Sequence, residues 1–405
     1  MPQNGAEAKN IKLVSQNDLN GFGNGGEGMA MQTTSDGRRI MYIAHESAPK
    51  DFTGVDVTDP KHPKVIVQTD LPHSDVRSNS LDMVDNIMLV AYQTKRPGLT
   101  PAGVGVYDMS IPESPKKISF FDTSGPFSRG AHCLWFVDGR YAHVTTGAAD
   151  FEPYNQKDDQ FHMILDLEDP ANPREVGRWW LPGTRKGDPG GPIERHAKID
   201  VGFRTHNINV YPDNPDRAYL GYIDGGAIIL DISDKSKPKM LGRQDYHPPF
   251  PGFTHTMLPL PDRGLAVVSD ESVTEDGRDH PKLTWVMDIR EESNPVIIST
   301  FPMPDADEFI GRGGRFGSHN LHENMPGPNS FRSDTLIIGA YFNAGVRVHD
   351  ISDPFHPKEA GYYIPPAPVS KEIGVNINDV FVDENGLIYA IERKAGGLYI
   401  LEMEV

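Results

Sequence analysis

The sequence predicts an all-β chain of 405 residues folded as a seven-bladed β-propeller, its ring closed by an N-terminal strand that completes the last blade. Two observations predict it. The first is a recurring phrase in which an apolar strand ends in Asp and a short Pro-bearing turn follows. It reads Asp56-Val57-Thr58-Asp59-Pro60-Lys61-His62-Pro63, and it returns at Asp108, Asp166, Asp231, Asp288 and Asp350. The spacing is roughly 50 to 65 residues, a period that marks a repeat architecture. The second observation is the order of strand and turn signals inside each period, which supplies four short strands.

Each strand has its own warrant. A first strand runs into a turn such as Val137-Asp138-Gly139-Arg140, and an apolar second strand follows, as in Thr335 to Ala340. A Gly-rich turn then leads into the third strand, as at Asp224-Gly225-Gly226 or Ala395-Gly396-Gly397. That third strand carries the Asp phrase, whose prolines cannot donate to a ladder and so force an irregular turn. The fourth strand is short: Lys64 to Val67, Lys239 to Gly242, Pro295 to Ile298. The last repeat stops at its third strand, Leu398 to Glu402, and Ile11 to Val14 reads as the strand that pairs with it. Closure of this kind leaves no exposed sheet edge. One domain, residues 1–405, accounts for the chain; a β-sandwich with chance repeats is the alternative.

The phrase resembles the LVIVD repeat from about Val55 to the C-terminus. The resemblance implies a propeller and says little about chemistry, since propellers host many activities.

Composition narrows the partners. With 39 basic and 57 acidic residues the net charge is −18, and no basic run or basic-aromatic stripe offsets it. Nucleic acid and anionic membranes are therefore not expected partners. The opening Met1-Pro2-Gln3-Asn4 segment lacks the features of a secretory leader, and a single cysteine, Cys133, allows no internal disulfide. These features lead to the expectation of a cytoplasmic protein, though they would not reveal a leader already removed. The oligomeric state is not legible, because a closed propeller needs no partner to cover its edges.

The starts of the first strands carry the chemistry. Aligned by the repeat, four consecutive blades place histidine where the chain enters the central channel: His132, His206, His255 and His319. The same position holds Glu27 in the first blade, Asn79 in the second and Asn378 (or Asn376) in the seventh. Every member of this inferred ring can coordinate a cation. Four imidazoles near one axis repel when charged and lose hydration when neutral, and one divalent metal ion relieves both problems. The competing reading has these histidines hydrogen-bond neighbouring blades. His322, three residues beyond His319, is expected to face the other side of its strand. His45, His143, His162, His280, His349 and His356 share no alignment and read as surface or inter-strand residues.

Imidazole ligation without thiolate suits iron, zinc, copper, nickel or manganese, with iron the leading expectation and zinc or manganese the further options. The four-histidine set resembles the site of the carotenoid-cleavage oxygenases and, less closely, of the histidine-bearing selenium-binding proteins. The first resemblance implies Fe(II) on His132, His206, His255 and His319, with Glu27 orienting a ligand ring. This chain is shorter than that family, and its order of blades need not match.

Long connections on the histidine face, around Trp179-Trp180, Tyr246 to Pro251, Phe301 to Phe316 and Tyr362 to Pro366, are expected to form an apolar roof. Arg312 and Arg315, just before His319, are placed to dock an anionic or carbonyl group, or else to bridge to acidic residues. Cys133, following a ligand, is expected to point away from it and pack. The Gly311-Arg312-Gly313-Gly314-Arg315 run is no phosphate loop, and a Gly-x-Ser-x-Gly elbow is absent. The leading expectation is a non-haem iron oxidoreductase acting on a small apolar or aromatic molecule. A metal-dependent hydrolase, lyase or isomerase with Glu27, Asp379 or Glu323 as base is the second reading, and a non-catalytic interaction propeller the third.

Overall fold

In the computed structural model, which describes residues 5–370 and 373–404, nearly all regular structure is antiparallel sheet. Two short strands open the chain, β1 (Glu7–Lys9) and β2 (Ile11–Asn17). The first four-strand unit follows: β3 (Gly25–Thr33), β4 (Arg39–His45), β5 (Lys50–Asp56) and β6 (Lys64–Asp70). The next is β7 (Val76–Val84), β8 (Ile87–Thr94), β9 (Gly103–Asp108) and β10 (Lys116–Asp122), whose sheet meets the first where His45 stands opposite Ser78. Then come β11 (Ala131–Phe136), β12 (Tyr141–Thr146), β13 (Phe161–Asp166) and β14 (Arg174–Trp179), followed by β15 (Thr205–Tyr211), β16 (Asn214–Tyr222), β17 (Gly226–Asp231) and β18 (Lys239–Gln244). The unit of β19 (Thr254–Leu260), β20 (Leu265–Asp270), β21 (Thr284–Asp288) and β22 (Val296–Thr300) has the same order. The last two sheets contain β23 (Leu336–Ala340), β24 (Val346–Asp350), β25 (Lys358–Ile364), and β26 (Ile377–Val382), β27 (Leu387–Glu392), β28 (Gly397–Met403). Together they make a β-propeller.

The repeated phrase has a local cause. In every copy the Asp side chain accepts the backbone N–H two residues on, from Thr58 to Asp56 (3.0 Å) through Ser352 to Asp350 (2.8 Å). The intervening apolar residue is buried and returns its N–H to the second strand, as Val57 does to Arg39 and Ile232 to Asp216. This side-chain turn ends the third strand at a set residue. The fourth strands carry a matching irregularity, and Ser15, Ser119 and Ser299 beside it donate to the carbonyls of Pro60, Pro170 and Pro354 in neighbouring units. The proline turn of one unit is thus an acceptor for another. Gly226 and Gly397 open third strands at φ 83° and 70°, where a Cβ would sit about 2 Å from a fourth-strand carbonyl.

The apolar core lies between neighbouring sheets. Phe52 on β5 meets Tyr107 on β9 edge-to-face at 5.4 Å, and Trp135 on β11 packs on Tyr211 of β15 while donating to Val210 O. The expected closure is present: β2 pairs with β28 from Ile11 opposite Met403 to Asn17 opposite Leu398. One pairing was not expected, since β1 adds to the outer edge of β25. The stretch around His319 departs from a regular first strand. Among the described residues it joins β23 by the Leu321–Gly339 bridge, while Ser318 Oγ donates to Asp270 O and the Asn320 amide to Asn378 O. Residues 1–4, read in the sequence for a leader, lie outside the described residues.

Candidate metal centre

The inner strands do more than line a channel. Their pairing with the second strands slips at the aligned positions: between Gly25 and Met29, Arg77 and Ser80, Ala131 and Leu134, Thr205 and Ile208, Thr254 and Thr256, and Ile377 and Asp379. Such bulges re-aim a side chain. Here they turn Glu27, His132, His206 and His255 inward, and the segment before β23 adds His319.

The four imidazoles converge on one carboxylate. His132, His206 and His255 place Nε2 at 3.7, 4.0 and 3.8 Å from Glu27 Oε2, and His319 Nε2 is 3.9 Å from Oε1. Each ring is held by its other nitrogen. His319 Nδ1 donates to Asn378 O (2.6 Å), His206 Nδ1 to Asn207 Oδ1 (3.0 Å) and His132 Nδ1 to Gln93 Oε1 (3.0 Å), while His255 Nδ1 bonds Thr256 Oγ1 (2.8 Å). The acceptors at His319 and His206 Nδ1 fix the proton there and leave the Nε2 lone pair facing the channel, while His132 Nδ1 is also met by Arg77 Nη2 at 3.2 Å. His132 and His206 then oppose their Nε2 atoms at 2.9 Å, and the buried Nε2 atoms of His255 and His319 have no hydrogen-bond partner.

The electrostatics match. Burial pushes His132, His206 and His319 well below the ordinary histidine value, and neighbouring imidazoles add to it. Burial alone would raise Glu27, but the imidazoles around it, His255 foremost, hold it well below the usual carboxylate range. A second carboxylate, Glu271, lies 3.8 Å from His206 Nε2 and 3.6 Å from His319 Nε2. Burial raises it, opposed by Arg315, whose Nη1 donates to it at 2.7 Å. Phe253 holds a left-handed φ of 64° and sets its ring against His206, a strained backbone beside the cluster.

Several sequence expectations change here. Glu27 does not orient a ligand ring, a task done by Gln93, Asn207, Thr256 and Asn378; it sits among the Nε2 atoms as a candidate ligand. Arg312 is outside the cluster, paired at the surface with Glu7 and Glu308. Arg315 is at the cluster, though through Glu271. Cys133 does not point away: the bulge sends it into the channel, with Sγ 3.8 Å from Glu27 Oε2, and burial raises its thiol. Asn79 is buried with its amide unpartnered, and Asn378 donates to the carbonyls of Gly25 and Gly26. His322 faces away as expected, bonding Phe331 O and the N–H of Val382. Asp379 and Glu323 line a chamber beneath the cluster.

The roof also differs. Trp179 packs on Tyr222 and Trp180 on Phe151, both away from the channel. What surrounds the mouth is a cavity of about 260 Å³ bordered by Arg77, Arg129, Arg204, Arg315 and Arg393. Glu46, Glu271 and Arg393 were missed by sequence reasoning, although a signal existed: each directly follows a second strand.

Residues 215–245, which contain the Asp231 phrase, match the LVIVD repeat model. No curated protein matches the chain. Among solved structures, the β-propeller domain of Myceliophteria thermophila Cps50 (Swd1) is similar at a TM-score of 0.53 and 14% identity, over 93% of this chain and 96% of that one. At that identity the likeness establishes the fold alone. Neither comparison supports the resemblance to carotenoid-cleavage oxygenases.

Proposed function

We propose that the protein is a mononuclear metal-dependent enzyme, with non-haem iron as the ion and His132, His206, His255, His319 and Glu27 as ligands, acting oxidatively on a small molecule in the mouth cavity. One observation carries this reading: four Nε2 atoms face one carboxylate at 3.7–4.0 Å, two of them buried without any other partner. Nitrogen and oxygen ligands lie about 2.0–2.2 Å from such an ion, so two adjacent ligands stand about 3 Å apart. The 2.9 Å between His132 and His206 Nε2 fits that spacing, whereas two lone pairs that close repel if nothing lies between them.

A bound iron would supply redox chemistry. The chain's own groups supply the rest: Gln93, Asn207 and Asn378 keep the ligand rings in one tautomer, and Glu271 can hold or accept a proton beside the cluster. Arg315 limits how far that carboxyl is raised. Glu271 also favours the second reading, a hydrolase, lyase or isomerase on zinc or manganese, because a raised carboxyl close to two ligand rings suits a general base. A non-catalytic interaction propeller is the third reading, in keeping with the similarity to a propeller domain.

Elemental analysis of tag-free protein, with an anaerobic iron-loaded sample in parallel, tests these readings. Near-stoichiometric iron that disappears in His255→Ala supports the first and justifies an oxygen-uptake screen. Zinc or manganese supports the second. Protein that takes up no metal under any loading sinks both.

A further inference from the structure

The mouth cavity concentrates positive charge in a chain whose net charge is −18. Four of its five arginines already have carboxylate partners. Arg77 and Arg393 share Glu46, with Arg393 also 3.8 Å from Glu27, Arg129 pairs with Asp159 at 2.6 Å, and Arg315 pairs with Glu271 at 2.7 Å. Arg204 differs. Its Nη1 donates to the carbonyls of Lys157 (2.9 Å) and Val201 (2.6 Å), and among the described residues no carboxylate forms an ion pair with it.

A second observation concerns the same wall. Gln160 borders the cavity, is only 2% exposed, and its Nε2 has no hydrogen-bond partner. Buried amides are almost always bonded, so an orphaned one on a cavity wall marks where a ligand atom belongs. Val201, Phe253 and Val273 add apolar surface to that wall.

We propose that the mouth cavity binds a small organic acid, its carboxylate held by Arg204 and Gln160 and its carbon skeleton lying on Phe253, next to His132 and His206. This deepens the reading above and rests on it only for what the acid lies beside. The donors select the class. A carboxylate brings one charge and two acceptor oxygens, matching one unpaired guanidinium and one amide. A phosphate carries close to two charges and would call for a second free cation, whereas the other arginines are already paired. A neutral ligand would leave Arg204 without an ion-pair partner, with only the Lys157 and Val201 carbonyls as its acceptors.

The test is calorimetric titration of the full-length, metal-loaded protein with benzoate and succinate, with benzamide and inorganic phosphate as comparisons. At least one carboxylate should bind ten-fold or more tighter than benzamide. Arg204→Gln should weaken that binding at least ten-fold with an unchanged melting temperature and metal content. Gln160→Leu should weaken it as well, and it carries the test if Arg204→Gln does not fold. Carboxylates that bind no better than benzamide, binding indifferent to both substitutions, or phosphate bound tighter than either acid would each overturn the proposal. Metal analysis of the same samples separates the two ideas. Carboxylate binding by protein that takes up no metal sustains the acid site and removes the metal reading. A loaded protein without carboxylate binding does the reverse.

Discussion

Glu27 borders two cavities that differ in almost every respect. On the mouth side it faces five guanidinium groups around about 260 Å³. On the other side lies a chamber of about 50 Å³ whose ionisable lining is Glu27 itself, Cys133, His322 and three further carboxyls, Asp82, Glu323 and Asp379. Burial pushes Asp82 up to about 8, raises Glu323, and lifts Asp379 well above its usual range with Glu323 adding to the shift. Asp82 accepts the N–H groups of Phe136 and Met83 (2.7 Å each), and Glu323 accepts from Asn207 and Asn209 (3.0 Å each). The same inner strands deliver acidic side chains to both sides. Arginines reach one side only, from the rim ends of strands and from the connecting loops. A charged ligand therefore has a place above the imidazoles, while below them the channel is lined by carboxyls whose ionisation burial disfavours.

The largest break in this comparison should come from the ring itself. His206→Ala should take the metal-to-protein ratio from near one to near zero while the far-UV spectrum stays β-rich; unchanged metal in that variant would remove the assigned ligands. Glu27→Gln should follow, weakening metal affinity by at least about 100-fold, since it deletes the one anionic donor among neutral rings. The ligand pKa directions add a pH test. His132, His206 and His319 are all held below the ordinary histidine value, so protons displace the ion only well under about pH 6.5. Metal that leaves between pH 7 and 6 would contradict that environment.

Below the ring the expected effect is smaller and of opposite sign. Asp82 is raised in the folded state, so it holds its proton between the unfolded value of about 3.9 and about 8. Its favourable contribution is complete below that window and is lost as pH rises through it. Asp82→Asn cannot ionise. It should gain on the parent protein from pH 5 to pH 8 by up to roughly 4 kcal/mol, with metal content unaltered. A deficit that is the same at both pH values would show that Asp82 is charged after all. Arg312→Ala closes the series: an exposed pair with Glu7 and Glu308 is worth less than about 1 kcal/mol, and neither metal content nor carboxylate affinity should move.

The histidine ring was legible because its cause is local. A bulge at one register position turns Glu27, His132, His206 and His255 inward from their inner strands, and the repeat alignment places His319 beside them although its own segment is not a regular strand. The same reasoning failed for Arg312, since proximity in sequence to His319 says nothing of a loop's path over three residues. It failed for Cys133 because strict alternation sends neighbours to opposite faces and a bulge suspends alternation. The apolar roof was misjudged for a related reason. Trp179 and Trp180 belong to the end of a fourth strand and its connection, where the nearest apolar surface is the adjoining sheet.

The propeller was therefore written in short-range chemistry: Asx turns at the six phrase aspartates, apolar strands, and an N-terminal segment able to complete the last sheet. Each of these acts within a few residues or repeats at a fixed interval, and a linear reading detects both. Three features belong to the folded ring alone: Glu271 against Arg315, Arg77 and Arg393 sharing Glu46, and Arg204 without a carboxylate. Their partners lie 31 to 347 residues apart in the pairs that form. No periodicity links them, and only closing the sheets around one axis brings their charges into the same low-dielectric space.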